Sequence, residues 1–511
     1  MKRRHQVLLI LFISITLAPA WGQVRYDFNW ILADDKGNSG VILGNNGVQV
    51  DFNQRPPVVK NYDTRTGFYF ADASFSDSLG KLMYYTNGCE VRGGDGYVIE
   101  NGGPLNPPGY IQDHFCVGSS LDGTATGPQS LIFLPRPGSD TLVDMFYYID
   151  SLVFQPTVRI FSLPLSRMTI STKSNKAISV NERLFEADTL FTSGLTAVKH
   201  SNNVDWWVIG RYNNNNKFWR IRLSSDAIDG PYFQDVGPIV IEGYSSTGQA
   251  KFSPNGEKYA MSSDSLGLVI CDFDRSTGLL SNPLQMDSIT NWSLYGLEFS
   301  GSGRFLCVAD PLKLYQIDME AVDVTASLDT VAYWDGFVFK DNFPTQFYFM
   351  ERGADCKIYM ITPSGNPYMH VIEDPEVKGV GCNMIQRGIE LPTNNFKSIP
   401  HFPNYRLGTG HPACDPHLPV GVTNPLHFVP EIMVWPNPVS DILNIRLTVY
   451  EQRALRLVLV DVMGRTVLSG LLDGLETELD VSNLSDGLYF YKVFVEDDGY
   501  FVGAGRVVIQ H

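Results

Sequence analysis

Lys251-Phe-Ser-Pro-Asn-Gly-Glu-Lys-Tyr-Ala260 reads as strand, tight turn, strand. Phe252 is an inward anchor. Pro254-Asn255-Gly256 make the turn, because proline fixes φ near −65° and Asn and Gly accept positive φ. Lys258-Tyr259-Ala260-Met261 then alternate polar and apolar, as a half-buried strand does. The unit recurs at Glu298-Phe-Ser-Gly-Ser-Gly-Arg-Phe-Leu306, and Gly303 lies 47 residues after Gly256. A sheet repeated at about that period is the mark of a propeller or a solenoid.

Four further units follow the same grammar. Phe75-Ser, a turn closed by Gly80 and the strand from Leu82 form one. Gln129–Leu134 leading into Leu142–Ile149 form the second. Leu195–Lys199, Trp206–Ile209 and Lys217–Leu223 make the third, and Phe347–Met350 with Lys357–Ile361 the fourth. Six units therefore lie between Asp72 and Met369. Strands before Asp51, joined by chain after Gly381, make a seventh, since a propeller closes by mixing its two ends and leaves no open sheet edge. Residues 24–410 shared among seven blades give about 55 residues each. The expected class is all-β: a seven-bladed β-propeller, with six or eight blades as the neighbouring solutions, followed by a second β domain.

Length and composition agree. A chain of 511 residues exceeds one compact core, and plentiful Gly, Pro and aromatics with few charges suit an all-β protein. The net charge is −16, with no cluster of cations after the first residues, which disfavours nucleic acid as a partner. Residues 1–22 read as a signal peptide. Lys2-Arg3-Arg4 precede an apolar core at Val7–Leu17, too short to span a bilayer, and Ala18-Pro-Ala20 offers a small-x-small cleavage site, with Gly22 as the other choice. Seven cysteines are an odd number for an exported chain. Cys271 and Cys307 lie in apolar runs and read as core residues; Cys89 with Cys116, or Cys382 with Cys414, are the pairs open to bridging.

Several motifs in order carry a resemblance. Ser76–Gly88, Gln129–Pro137, Thr196-Ala-Val-Lys-His200 with Asp205-Trp-Trp207, Lys357-Ile-Tyr359 and His370–Gly379, with Cys382 and Leu391, resemble propeller proteins exported by Bacteroidetes. The resemblance implies the fold and a cell-surface setting, and brings no catalytic residues. One departure is Cys356, which stands where a turn glycine is usual. The propeller is expected over 23–405. Residues 406–430, rich in Pro and Gly and without periodicity, read as a linker.

From 431 to 511, short strands separated by turns every eight to twelve residues indicate a β-sandwich of immunoglobulin-like type. Trp435-Pro-Asn-Pro438, Leu443-Asn-Ile445, Asp461-Val-Met-Gly-Arg465, Leu479–Leu484, Gly487-Leu-Tyr489 and Gly505-Arg-Val-Val-Ile509 resemble the type A C-terminal sorting domain of the type IX secretion system. Pro436, Asn437, Pro438, Asp461, Gly464, Gly487, Tyr489 and Arg506 are the sorting-signal residues that this implies, with Arg506 in place of the commoner lysine. It also implies export across both membranes, the translocon and sorting machinery as partners, and removal of the domain or its exchange for lipopolysaccharide at the cell surface.

Candidate chemistry is sparse. His411, Cys414 and His417 bring soft and imidazole ligands close together, but match no standard zinc spacing; no metal or other cofactor is expected. Asp34–Gly40 and Asn202–Asp205 have oxygen ligands without a calcium-loop pattern, and turns use the same residues. Trp206, Trp207 and Trp219, beside Asn213–Asn216, either stack on sugars or fill a blade. No nucleophile elbow or His-Glu-x-x-His is present, while carboxylate pairs for glycoside cleavage leave no trace in sequence. Asp followed by Ser or Thr and an aliphatic residue recurs, with Ser78, Thr141, Ser151, Thr189, Ser265, Ser288 and Thr330 similar to O-glycosylation acceptors of Bacteroidetes exported proteins; turn-to-strand junctions produce the same pattern. The leading expectation is a non-enzymatic module that binds an extracellular glycan or protein. The alternatives are a hydrolase or lyase acting in the central cleft, favoured by convergent Asp, Glu or His there, and a structural part of adhesion or gliding machinery.

Overall fold

The turn at Ser253–Gly256 forms as the sequence dictates. The Gly256 N–H donates to the Ser253 carbonyl at 2.8 Å, and Ser253 Oγ accepts from the Lys258 N–H at 2.9 Å. Gly256 sits at φ 73°, and a Cβ there would come within 2.8 Å of Val198 Cγ2, so glycine is required both by conformation and by space. Gly303 repeats the arrangement at φ 82°. The computed structural model describes residues 24–511 apart from 34–46, 69, 109–111, 117–126, 128, 150, 155–158, 163, 187–192, 214, 240–247, 264–266, 287–294, 411, 415–431, 448–454, 463–464, 473, 475 and 496–500. Residues 1–22 lie outside that set.

The chain divides into two units, Met1–Gly421 and Val422–His511. In the first, the described strands build seven radial antiparallel sheets. Five have four strands, each beside its predecessor in the blade; in the third blade a separate hairpin, Ser151–Phe154 with Arg159–Ser162, is inserted between the second and third strands. The third blade, for example, runs Leu131–Pro135, Leu142–Tyr148, Leu165–Ser171 and Lys176–Phe185. The fifth runs Ala250–Phe252, Lys258–Ser263, Gly267–Asp274 and Leu279–Met286. The second has three strands, from Ala73–Ser76 to Val91–Gly93.

The sheet of the first blade comes from the N-terminal end alone, and the strand after Gly381 that was expected to join it, Met384–Asn395, pairs instead with Asn366–Ile372 as the outer strand of the seventh blade. Asn29–Ala33, Gly47–Asp51 and Val58–Tyr62 pair in order. Chain from 396 onward lies along their inner side. The Phe396 N–H donates to the Ala33 carbonyl at 3.3 Å, and the Phe402 ring lies 6.2 Å from Trp30. Tyr405 then donates its hydroxyl to the Phe133 carbonyl at 2.7 Å, and Arg406 grips Asp27 through two bonds of 2.8 and 2.6 Å. Arg406 is 1% exposed. The stretch expected to open a linker therefore begins as part of the ring: Arg406, Ala413 and Cys414 are all buried. Its lack of periodicity reflects irregular chain packed on the blades, held by side chains instead of a ladder.

Cysteine pairing corrects one expectation. Cys89 bridges Cys116, but Cys414 bridges Cys356 and not Cys382. Cys356 occupies the turn-glycine position of the seventh blade at φ 70°, with its N–H on the Gly353 carbonyl at 3.1 Å. A non-glycine residue there is costly in backbone terms, and the bridge gives a reason for its presence. Cys271, Cys307 and Cys382 are buried thiols.

The second unit is a sandwich of a three-stranded and a four-stranded sheet. Leu455, Leu457 and Leu459 point into its core while Arg456 and Val458 are half-buried, the period of two that a one-sided strand needs. The Tyr489 hydroxyl donates back to the Ser485 carbonyl at 2.9 Å, a corner typical of immunoglobulin-like folds.

Candidate functional site

The mouth of a propeller ring is the default place for a ligand, so the residues of the inner strands decide what the centre can do. Side chains on a strand alternate sides. Lys251, Glu298 and Glu351 each stand two residues before the first residue of their blade's inner turn, at Ser253, Ser300 and Gly353. His401 precedes Phe402 as Lys251 precedes Phe252. The shared register sends all four toward one point.

There they satisfy one another. Lys251 Nζ lies 2.8 Å from Glu298 Oε2 and also contacts Glu351 Oε2. His401 Nδ1 is 3.4 Å from Glu351 Oε2 and accepts from Gln129 Nε2 at 2.8 Å. Arg352 Nη1 lies 3.6 Å from Glu298 Oε1. Gln249 crosses between blades: its amide donates to the Met350 carbonyl at 2.9 Å, and its oxygen accepts from the Leu297 and Met350 N–H groups. Gln129 does the same for Ala250.

Burial governs the electrostatics. It pushes the Glu351 carboxyl up to about 7, with Lys251 opposing the rise, and holds His401 well below the usual imidazole range, with Lys251 acting in the same direction. His401 is therefore neutral at pH 7. The composition of the cluster, two carboxyls, an ammonium and an imidazole, is that of many acid–base sites. Its state is different: the side chains of Lys251, Glu298, Glu351 and His401 are 4% exposed or less. Their polar atoms are turned on each other, away from bulk solvent. Sequence reading missed this cluster, although its signal was present in Lys251-Phe-Ser, Glu298-Phe-Ser and His401-Phe-Pro, where a charged or titratable residue precedes the same anchor.

The sequence candidates fall in different places. Trp206, Trp207 and Trp219 are 0%, 5% and 0% exposed. They fill blades, with Trp206 Nε1 donating to the Pro135 carbonyl and Trp207 Nε1 to that of Arg275. Of the two readings that the sequence left open, blade filling is the one that their burial fits. Cys414 is in a disulfide and holds no metal, while His411 and His417 lie outside the described residues. Among the described residues no group of three metal-ligating side chains occurs. Ser78 and Thr141 are exposed at inner turns, and Thr330 is half-buried in Asp329–Tyr333. Ser151 starts the strand Ser151–Phe154; Thr189, Ser265 and Ser288 lie outside the described residues.

A polar cleft of about 330 Å³ lies between the third and fourth blades, lined by Arg136, Arg167, Glu182 and Ser224–Ala227. Two of its three arginines pair across the third blade: Arg136 makes two bonds to Asp144, at 2.8 and 2.5 Å, and Arg167 binds Glu182 at 2.6 Å.

In the second unit several positions expected to carry the sorting signal lie along one line of hydrogen bonds. Asn437 Oδ1 accepts from the Val508 N–H at 2.9 Å, and its Nδ2 donates to the Arg506 carbonyl at 3.2 Å. Val439 continues the contact, bonding to Val508 and Gln510 at 2.9 Å each. Pro436 and Pro438 flank this stitch, and Gly487 pairs with Ile509. Asp461 caps its turn by accepting from the Arg465 N–H at 2.9 Å; Gly464 lies outside the described residues. Asp461 and Arg506 line one open groove of about 520 Å³ with Val462 and Phe490, which are 66% and 41% exposed.

Comparison with known proteins agrees with this geometry. The model of the secretion system C-terminal sorting domain matches residues 433–503. No curated protein matches the chain. Among solved structures, a candidate 6-phosphogluconolactonase from Bacteroides fragilis is 10% identical at a TM-score of 0.39, over 73% of this chain and 98% of that one. The extracellular domain of a candidate one-component system from B. thetaiotaomicron is 13% identical at 0.34, over 94% and 73%. The Dos1 propeller is 10% identical at 0.33, over 63% and 81%. At such scores these likenesses add nothing to the ring of sheets described above and say nothing about activity. The chain is a cargo of the type IX secretion system, a β-propeller protein that carries this system's C-terminal sorting domain and is exported to the cell surface or the extracellular space.

Proposed function

We propose that the propeller is a non-enzymatic binding module, displayed outside the cell, that takes a glycan or a protein on its loop face. One observation carries the reading: the acid–base residues that converge at the centre are buried and spent on each other. An enzyme needs its acid, base or nucleophile within hydrogen-bond reach of a substrate, and a binding protein has no such need. The sorting domain, in this reading, is removed or exchanged for a lipopolysaccharide attachment once the propeller has crossed the outer membrane.

The test uses the exported chain on glycan and peptide arrays, followed by hydrolysis assays on every hit. Binding without turnover is the expected result. Turnover that is abolished by Glu298→Gln or Glu351→Gln, with the fold intact by circular dichroism, would overturn it in favour of a hydrolase or lyase. Neither binding nor turnover would favour a structural part in adhesion or gliding machinery.

A further inference from the structure

Between the outer strand of the sixth blade, Asp329–Tyr333, and the inner strand of the seventh, Met350–Arg352, the chain builds a hairpin of its own. Val338–Phe339 pair with Phe343–Pro344, and Lys340 and Asp341 turn the tip at φ 46° and 60°. Its surface is rich in rings. Tyr333 is 63% exposed and Phe337 40%. Phe337 and Phe339 both meet Tyr368 edge to face, at 5.9 and 5.8 Å.

Beside the rings stands a fixed polar edge. Arg387 makes a two-bond pair with Asp335, at 3.0 and 2.6 Å, and its guanidinium lies 4.5 Å from the centre of the Phe337 ring. Gln386 holds the approach by donating to the Tyr333 carbonyl at 2.9 Å and accepting from the Asp335 N–H at 3.1 Å. Behind them, buried His370 accepts from the Arg387 N–H at 3.1 Å and bonds the Thr345 carbonyl at 2.9 Å. Rings and polar groups are thus set before any ligand arrives, which lowers the ordering cost of binding.

We propose that this hairpin, with Tyr368 and Arg387, is a stacking site for a neutral hexose unit of a glycan. A pyranose presents an apolar C–H face and an edge of hydroxyls. Tyr333 and Phe337 offer ring surface for the first, and the Asp335–Arg387 pair offers paired acceptors and donors for the second. The charges of Asp335 and Arg387 cancel in their pair, and the Lys313 ammonium lies 5.8 Å from the centre of the Tyr333 ring, where it can meet a sugar hydroxyl. The proposal rests on the binding-module reading and adds the place and the ligand class.

The exported chain is probed with a neutral-oligosaccharide array and then titrated by calorimetry with the best hit, using cellohexaose and mannohexaose as soluble starting probes. Phe337→Ala and Tyr333→Ala, both at exposed positions, are expected to weaken binding at least tenfold with the melting temperature unchanged. Asp335→Asn is expected to weaken it less. Glycan binding that survives both ring substitutions would overturn this site and leave the binding-module reading standing. Peptide binding without any glycan binding would overturn the ligand class alone. Turnover of a hit would count against the binding-module reading itself.

Discussion

At the centre of the propeller, Lys251, Glu298, Glu351 and His401 are shut away from water; at the hairpin after the sixth blade, Asp335 and Arg387 form an equally close pair that water reaches. The Asp335 and Arg387 side chains are 38% and 24% exposed, against 4% or less at the centre. The chemistry of the residues is alike and the surroundings differ. Removing one member of a buried pair strands its partner without solvation, whereas removing one member of an exposed pair lets water take its place. This contrast underlies the proposal that the centre serves the scaffold and the hairpin a ligand.

Substitutions sharpen this contrast. The largest effect is expected at the enclosed charges. Lys251→Met should cost about 3–5 kcal/mol by denaturant unfolding, because it leaves two carboxyls buried together, and Arg406→Met should cost a similar amount by isolating Asp27. A double variant, Lys251→Met with Glu351→Gln, should recover part of the loss; a second loss added in full to the first would show that the central pair is not coupled. Cys414→Ser should cost about 2–4 kcal/mol, since its bridge to Cys356 closes a loop of 58 residues. A melting temperature unchanged by that substitution would mean that Arg406 alone closes the ring.

The pH dependence separates two buried groups of opposite sign. Burial lowers His370 to about 4, with Arg387 adding to the fall and Asp335 opposing it. Between pH 6.5 and 4 the unfolded chain binds a proton that the folded chain does not, so stability is lost as pH falls through this window, by up to about 3 kcal/mol. Glu351, raised to about 7, acts the other way and favours the fold most below pH 4.5, with its contribution fading as pH rises toward 7. His370→Gln should flatten the acid side of the stability profile; an unaltered profile would assign the acid loss elsewhere. The smallest effect is expected at the exposed pair, where Asp335→Asn should change stability by less than about 1 kcal/mol.

Much of the scaffold was legible. Phe-Ser turns located three of the six units, because a tight turn needs particular residues at particular places, and Gly256 and Gly303 meet that need; strand–turn–strand runs located the other three. The sandwich strands were legible because one-sided burial imposes a period of two. The candidate sites were read less well, for a physical reason. Trp206 and Trp219 were left open between a sugar-stacking surface and a blade core because sequence shows ring content and not depth, and both sit at 0% exposure. Cys356 was visible as a departure from a turn glycine, but its partner was not, since a disulfide depends on distance in space. The rings at Tyr333, Phe337 and Tyr368 come from two blades, and no local pattern connects them.

Asp27 and Arg406 are separated by 379 residues. Synthesis at 5–20 residues per second puts roughly 20–75 s between the appearance of one and the other. Through that interval the first blade lacks the chain from 396 to 406 that packs on it, and Asp27 lacks its Arg406 partner. Late closure keeps the whole propeller unlocked until its final residues exist. The joint that makes the finished ring hard to open is thus among the last parts of the propeller to be made.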